Sequence, residues 1–323
     1  MIGPIIGIIL FILLAAVALF FILPKYRPTA AYLALNLGRE FTDKVKKPPK
    51  LLTVPMGKDN EVTLGWVGHS TWLVEMLGTR LITDPIFSKR AVFPKRLVAP
   101  AVQPEQIDSL QFVLLSHAHF DHLDLASLKA LPEEAVIVLP AGDEAVVQDL
   151  PHKKVALKAN ESYSFEDLNF KTFQTRHKGE RAMGQSSKLT LAYLIQKGDY
   201  SIFYIGDSAY SRELVEEVRE ACPQGIDAVL VPIAAYKPQE FQDDHCSPED
   251  GLQMALEMGA RSILPMHHET FQLSLEPIDE PLRRFKKAAE DLEVTKLINP
   301  LPIGGTLTIE KSPAKKDISK TYH

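Results

Sequence analysis

The chain of 323 residues contains only two cysteines and no excess of positive charge. Cys222 and Cys246 are too few for a disulfide framework, and they do not form a C-x-x-C pair. Lysine and arginine number 36 against 41 aspartates and glutamates, which gives a net charge of −5. This balance argues against the basic surfaces that attract nucleic acid, so we expect no nucleic-acid partner.

Charge is also missing from the beginning of the chain, where no lysine or arginine precedes Lys25. Residues 2–23 are uncharged and almost entirely apolar, and about 20 such residues span a bilayer as a helix. A cleavable signal peptide would need a basic start and an apolar stretch of only about 7–15 residues. A buried core helix would have a less uniformly apolar surface. We therefore predict a transmembrane anchor at residues 2–23 that is not cleaved.

Basic residues follow the predicted anchor: Lys25, Arg27, Arg39, Lys44, Lys46, Lys47 and Lys50. By the positive-inside rule, this single-pass protein should have its catalytic domain facing the cytoplasm. We interpret residues 24–57 as a linker, in which 29–37 forms either an interfacial helix or a helix packed on the domain. Residues 58–310 are predicted to form the folded domain, and residues 311–323 a disordered tail.

Three histidines and an aspartate lie within six positions directly after a short apolar run. The run, residues 112–115, is typical of a buried strand, so the cluster lies in the loop that leaves that strand. Imidazole nitrogens and carboxylate oxygens are the ligands that zinc and similar divalent metals prefer. The loop therefore predicts a metal site formed by His117, His119, Asp121 and His122.

Three further donors share one feature, because each follows a predicted strand. They are His177, Asp207 and His267. Seven donors exceed the needs of one tetrahedral metal, but they suit two metals that share a bridging carboxylate. Strands come first as a group and then alternate with helices, and the second half repeats this order. We expect two sheets packed face to face with helices outside.

The H-x-H-x-D-H loop followed by His, Asp and His resembles the metallo-β-lactamase superfamily. Four outer motifs resemble its branch that contains the phospholipase D hydrolysing N-acylphosphatidylethanolamine. These motifs are Gly68–Thr71, Thr83–Phe87, Gly206–Ser208 and Pro265–His267. The similarity runs from about residue 62 to about residue 305. It implies an α/β fold, a four-layer αββα sandwich, here preceded by the predicted transmembrane helix.

The resemblance also implies a set of metal ligands. One ion would be held by His117, His119 and His177. A second would be held by Asp121, His122 and His267, with Asp207 bridging the two. Zinc is the metal that we expect at both positions. The resemblance further places His245 beside the substrate, whereas His69 and Asp84 are expected to orient ligands.

The sequence departs from this branch at two places. Phe120 stands where the lipid-cleaving enzyme has a tyrosine that touches the substrate. His268 and Glu269 stand where the branch has Trp-Gly, so His268 is an alternative to His267 as the ligand. We choose His267 because it comes first after the strand.

We therefore expect a membrane-anchored, binuclear zinc hydrolase that cleaves phospholipids such as N-acylphosphatidylethanolamine by the phospholipase D reaction. Two metals would activate a bridging hydroxide, Asp121 and Asp207 would hold them, and His245 would donate to the phosphate or the leaving group. The first alternative is a metallo-hydrolase of a soluble substrate such as a lactone, a sugar phosphate or a cyclic nucleotide. A di-iron redox protein and a non-catalytic metal sensor are others, and a homodimer is left open.

Overall fold

The computed structural model of the chain describes residues 11, 14–15, 27–181 and 186–310. The predicted anchor at residues 2–23, apart from three positions, and the predicted tail at 311–323 lie outside these residues. Within the described ranges, no helix combines the length and the apolar composition that crossing a bilayer requires. The anchor and the tail therefore stay predictions.

The described residues form thirteen strands and five α-helices, besides three short 3-10 helices. The strands are Val62–Gly68 (β1), Thr71–Met76 (β2), Thr79–Thr83 (β3), Phe112–Leu114 (β4), Val136–Pro140 (β5), Lys154–Leu157 (β6), Ser162–Phe165 (β7), Leu168–Gln174 (β8), Leu191–Lys197 (β9), Tyr200–Tyr204 (β10), Ala228–Pro232 (β11), Ile263–Met266 (β12) and Thr306–Ile309 (β13). The helices are Arg27–Thr42 (α1), Leu125–Lys129 (α2), Arg212–Ala221 (α3), Pro248–Glu257 (α4) and Glu280–Asp291 (α5).

The strands form two sheets whose parallel regions end at the candidate site. The seven-stranded sheet has the order β13-β1-β2-β3-β4-β5-β6, and the six-stranded sheet has the order β12-β11-β10-β9-β8-β7. Strands β3 and β4 are parallel and pair Thr83 with Leu114. Strands β10, β11 and β12 are also parallel. Since parallel strands end at one edge, the segments after β3 and β4 leave the first sheet together, and those after β10 and β12 leave the second.

Alternate side chains of the six-stranded sheet enter two different cores. On β9, Tyr193 and Ile195 belong to the core shared with the seven-stranded sheet, whereas Leu194 belongs to a core shared with α3, α4 and α5. This period of two is what a strand buried on both faces requires. The predicted α/β fold, with two packed sheets and helices outside, is thereby confirmed.

Helix α1 occupies residues 27–42, within the segment predicted as a linker, and it packs on the domain. Ala30, Asn36 and Leu37 are buried on one side of it. The amide Nδ2 of Asn36 donates to the carbonyl of Gln272 at 3.3 Å. Because Gln272 lies five residues after His267, α1 is attached to the segment that carries a candidate ligand.

The sequence also predicts a helix over residues 248–258 with Ser247 as its N-cap. Helix α4 begins there, since the Ser247 Oγ accepts a hydrogen bond from the Asp250 amide at 3.2 Å. We expect Ser247→Ala to lower the free energy of unfolding by about 1 kcal/mol, because the helix amide loses its acceptor. Urea denaturation measures this loss. Ser164→Ala, on exposed β7, is the matched control and should change stability less. Equal losses in the two variants would contradict the capping role.

Candidate metal centre

The loop that follows β4 turns sharply, and the turn gathers its histidines. The amides of His122 and Leu123 both donate to the carbonyl of His119, at 3.0 and 2.8 Å. His117 and His122 are fully buried beneath this turn. The short apolar strand β4 fixes where the loop starts, and the turn directs the side chains inward.

Three imidazoles face one another at one end of the site. The His119 Nδ1 lies 3.0 Å from the His117 Nε2 and 3.2 Å from the His177 Nε2. The His177 Nδ1 lies 2.8 Å from the carbonyl of Asp244, which can only accept, so the hydrogen of that ring is on Nδ1. The Nε2 lone pair of His177 therefore faces the other two rings. The three predicted ligands of the first ion are brought together.

Two imidazoles and two carboxylates form the neighbouring group. The Nε2 atoms of His122 and His267 each lie 3.2 Å from the Asp207 Oδ2. Each also lies 3.5 Å from the Asp121 Oδ2. The predicted ligands of the second ion therefore also converge, from β4, β10 and β12.

Asp207 lies between the two groups. One potential ligand atom from each of Asp207, His177 and His245 falls within 4.8 Å of the others. The same carboxylate contacts His122 and His267 on its other side. This is the position that a bridging ligand requires, although its role as a ligand stays a prediction.

The pKa values of the buried carboxylates and imidazoles are set by burial and by the charges of their neighbours. Burial alone would raise the pKa of Asp121 and Asp207, but the neighbouring imidazoles hold both well below the usual range. Burial would likewise lower the pKa of His267, yet the carboxylates raise it to about 9. Burial lowers the pKa of His119 to about 4, so this ring is neutral, as a metal ligand must be. The site thus combines anionic carboxylates with a neutral imidazole at His119 and a protonated one at His267, whose proton a bound metal ion would replace.

Several buried polar atoms of this cluster make no hydrogen bond within the described part of the chain. They include the Nε2 atoms of His122 and His267 and the Oδ1 of Asp207. A buried polar atom without a partner is costly, so such atoms in one cluster point to a ligand. Divalent cations fit, because nitrogen and carboxylate donors converge from several sides.

Asp84, which follows β3, orients His122 as the sequence predicts. The His122 Nδ1 donates to the Asp84 Oδ2 at 2.5 Å. The same carboxylate accepts from the Ser116 amide at 2.7 Å and from the Tyr204 hydroxyl at 2.5 Å. Ser116 and Tyr204 were missed by the sequence analysis. Tyr204 ends β10 three residues before Asp207, but no local pattern marks its contact with the other sheet.

His69 orients the other carboxylate. It lies in the turn between β1 and β2, and its Nε2 is 3.0 Å from the Asp121 Oδ2. The amide of His69 donates to the Thr270 Oγ1 at 2.8 Å, which ties this turn to the segment after β12. His69 therefore lies where the sequence analysis expected an orienting residue.

His267 and His268 have different surroundings. His267 lies among the carboxylates described above, whereas the His268 ring lies 4.7 Å from the Trp66 ring. The His268 Nδ1 is 3.9 Å from the Glu269 Oε1. The geometry thus favours His267, the choice made from the sequence.

His245 lies on the more open side of the cluster. Its side chain is 17% exposed, and its Nδ1 is 3.7 Å from the Asp207 Oδ2. Its ring lies 4.8 Å from the His177 ring. Burial lowers the pKa of His245 to about 3, so the ring is neutral and offers one N–H donor. This position suits contact with a substrate at the edge of the site.

Comparison with known proteins agrees with this geometry. The family described as "Beta-lactamase superfamily domain" matches residues 79–268. An uncharacterized protein of Mycobacterium tuberculosis is 30% identical over 76% of this chain and 68% of its own length. N-acyl-phosphatidylethanolamine-hydrolyzing phospholipase D 1 of Caenorhabditis elegans is 25% identical over 72% of each chain. Igni18, a metallo hydrolase of Ignicoccus hospitalis, covers 78% of this chain and 100% of its own at 17% identity, with a TM-score of 0.61.

Proposed function

Since this chain belongs to the β-lactamase superfamily and is a metal-dependent hydrolase, we propose that it cleaves phospholipids such as N-acylphosphatidylethanolamine with two zinc ions. The proposed cut is that of a phospholipase D, between the phosphate and the amide-bearing head group. The observation that carries the proposal is the double cluster of donors with Asp207 between its halves.

Each of the two groups of residues would bind one metal ion. His117, His119 and His177 would hold one ion, and Asp121, His122 and His267 the other. Asp207 would contact both. Divalent cations bound here would supply Lewis acidity and acidify water near neutral pH. His69 and Asp84 keep the ligands oriented through the hydrogen bonds to Asp121 and His122.

His245 would act on the substrate rather than on the metals. As a neutral ring beside Asp207, it can donate its N–H to a phosphate oxygen and align the phosphorus for attack. It can instead donate this hydrogen bond to the departing oxygen and stabilise the negative charge that develops there. Neither role needs a nucleophilic serine or cysteine.

The lipid substrate is supported by relatives and by the position of α1. The Caenorhabditis elegans relative is named for hydrolysis of N-acyl-phosphatidylethanolamine. Helix α1 follows the predicted anchor directly and is bonded to Gln272 beside the site. Burial, together with the Asp121 carboxylate, raises the pKa of Tyr32 on α1 to about 12. A single-pass anchor with its domain in the cytoplasm would thus hold the site near the membrane.

The direct test is hydrolysis of N-acylphosphatidylethanolamine in vesicles by the purified full-length protein loaded with zinc. Phosphatidic acid should appear, and the metal-ligand variant His119→Ala serves as the inactive reference. No product above that reference would reject the lipid substrate. Hydrolysis of a soluble diester that ignores vesicles would instead favour the soluble-substrate alternative.

We expect His245→Gln to lower kcat by about 10²-fold while zinc content stays unchanged, because the imidazole N–H that aligns the phosphate is lost but no predicted ligand is. Lipid hydrolysis and metal analysis of the same preparation measure both quantities. Asp243→Asn, in the same segment and 76% exposed, is the matched control. Loss of zinc from His245→Gln would show that His245 binds metal instead.

A further inference from the structure

Arg181 lies four residues after His177 and is not among the residues assigned to the site. It is only 8% exposed, and its backbone amide donates to the Ser186 Oγ at 2.6 Å. A buried guanidinium is costly unless its N–H groups find acceptors. The N–H groups of Arg181 therefore need acceptors nearby.

Two of the N–H groups bind backbone carbonyls of the metal loop. The Arg181 Nε donates to the carbonyl of Ala118 at 2.5 Å, and its Nη2 donates to the carbonyl of Leu123. These two carbonyls flank the segment 119–122, which carries three predicted ligands. The turn is closed internally by the Leu123 amide on the His119 carbonyl, and Arg181 closes it again from outside.

The guanidinium also holds the side chain at the tip of the loop. Its Cζ lies 4.2 Å from the centroid of the Phe120 ring. Phe120 is 45% exposed although it is a large apolar side chain. A guanidinium over an aromatic face is attracted by the negative face of the ring. Arg181 thus restrains the backbone of the loop and its exposed residue together.

The segment that carries Arg181 lies directly against the loop. A Cβ added at Gly179 would lie 2.9 Å from the His117 Cβ and 2.6 Å from the Thr190 Cγ2. Glycine is therefore required for the chain to pass between His117 and Thr190, the residue before β9. The chain from His177 to Arg181 crosses the loop at contact distance, and Arg181 fastens it there.

We propose that Arg181 is a positioning residue for the metal centre, which fixes the loop ligands His119 and His122 relative to His177. The proposal rests on the metal site of the proposed function. The planar guanidinium can donate to two separate carbonyls at once, whereas the ammonium of a lysine is a point charge on a flexible stem. Arginine at this position therefore presets the geometry of both groups before metal binds.

The experiment uses Arg181→Met and Arg181→Lys in the full-length chain, with Arg176→Met as the matched control. The Arg176 side chain is 55% exposed and pairs with Asp243, away from the loop carbonyls. Zinc affinity is measured on metal-depleted protein by competition with a chromophoric chelator. Absorption spectra of the cobalt-substituted proteins report ligand geometry, and thermal unfolding of the metal-free proteins reports stability.

We expect zinc affinity to fall about 10–100-fold in Arg181→Met, with an altered cobalt spectrum, as for residues that orient metal ligands. Arg181→Lys should recover little of this loss, and Arg176→Met should stay within about twofold of wild type. If Arg181→Met does not fold, Arg181→Lys carries the test alone. Wild-type affinity and spectrum in Arg181→Lys, or in a folded Arg181→Met, would overturn the proposal.

These outcomes separate the inference from the proposed function. A wild-type chain that binds zinc but releases no phosphatidic acid would end the lipid assignment and leave the role of Arg181 intact. A wild-type chain that binds no zinc would overturn both. A variant that loses metal-free stability while its zinc affinity and cobalt spectrum stay unchanged would make Arg181 a structural residue only.

Discussion

Asp207→Ala is expected to lower the rate of hydrolysis by about 10³-fold or more and to remove bound zinc. The Asp207 Oδ2 lies 3.2 Å from the Nε2 of both His122 and His267, and the carboxylate faces His177 and His245 on its other side. Without Asp207, the two proposed ions would lose their shared ligand, and the proposed hydrolysis would lose the metal chemistry on which it depends.

Activity and zinc content should be measured on the same preparation of Asp207→Ala. Asp243→Asn is the matched control, since it removes a carboxylate charge from the exposed surface nearby. Asp243→Asn should keep the wild-type activity and zinc content. An Asp207→Ala variant with wild-type zinc content and rate would show that Asp207 is a turn residue after Gly206 and nothing more.

Asp84→Ala is expected to lower the free energy of unfolding by about 3–5 kcal/mol and to weaken zinc binding. This carboxylate is fully buried and accepts from His122, Ser116 and Tyr204. Removing one partner of a buried charged network leaves the others without acceptors, which costs far more than one exposed hydrogen bond. His122 would also lose the group that fixes its ring.

Urea denaturation of the metal-free protein gives this stability change without a contribution from bound metal. Tyr204→Phe is the graded control, because it removes a single donor to the same carboxylate and should cost about 1 kcal/mol. A change below about 1 kcal/mol in Asp84→Ala would show that the network does not stabilise the fold.

Much of the fold and of the site was predictable because both depend on short patterns. The apolar run before His117 predicts strand β4, and Ser247 predicts the start of α4. His177, Asp207 and His267 could be grouped because each follows a strand. The structure shows why they meet, since β10 and β12 both pair in parallel with β11 and deliver their following residues to one edge.

Other features depend on contacts between distant segments and could not be predicted. In the sequence, Tyr204 resembles any strand tyrosine, but in the fold its hydroxyl donates to Asp84. Arg181 likewise resembles a surface arginine, but in the fold it donates to the metal loop. The choice between an interfacial and a packed helix at residues 29–37 depends on the bond from Asn36 to Gln272, 236 residues away. No sequence window contains both partners of these pairs.

The central claim is that side chains from distant parts of the chain bind two divalent ions together. Its most direct test is the molar ratio of zinc to protein, determined by mass spectrometry after the full-length chain is loaded with zinc and desalted. We predict a ratio of two, falling in both His119→Ala and His267→Ala. A ratio near zero in the wild-type chain, or one that neither substitution changes, would contradict the account.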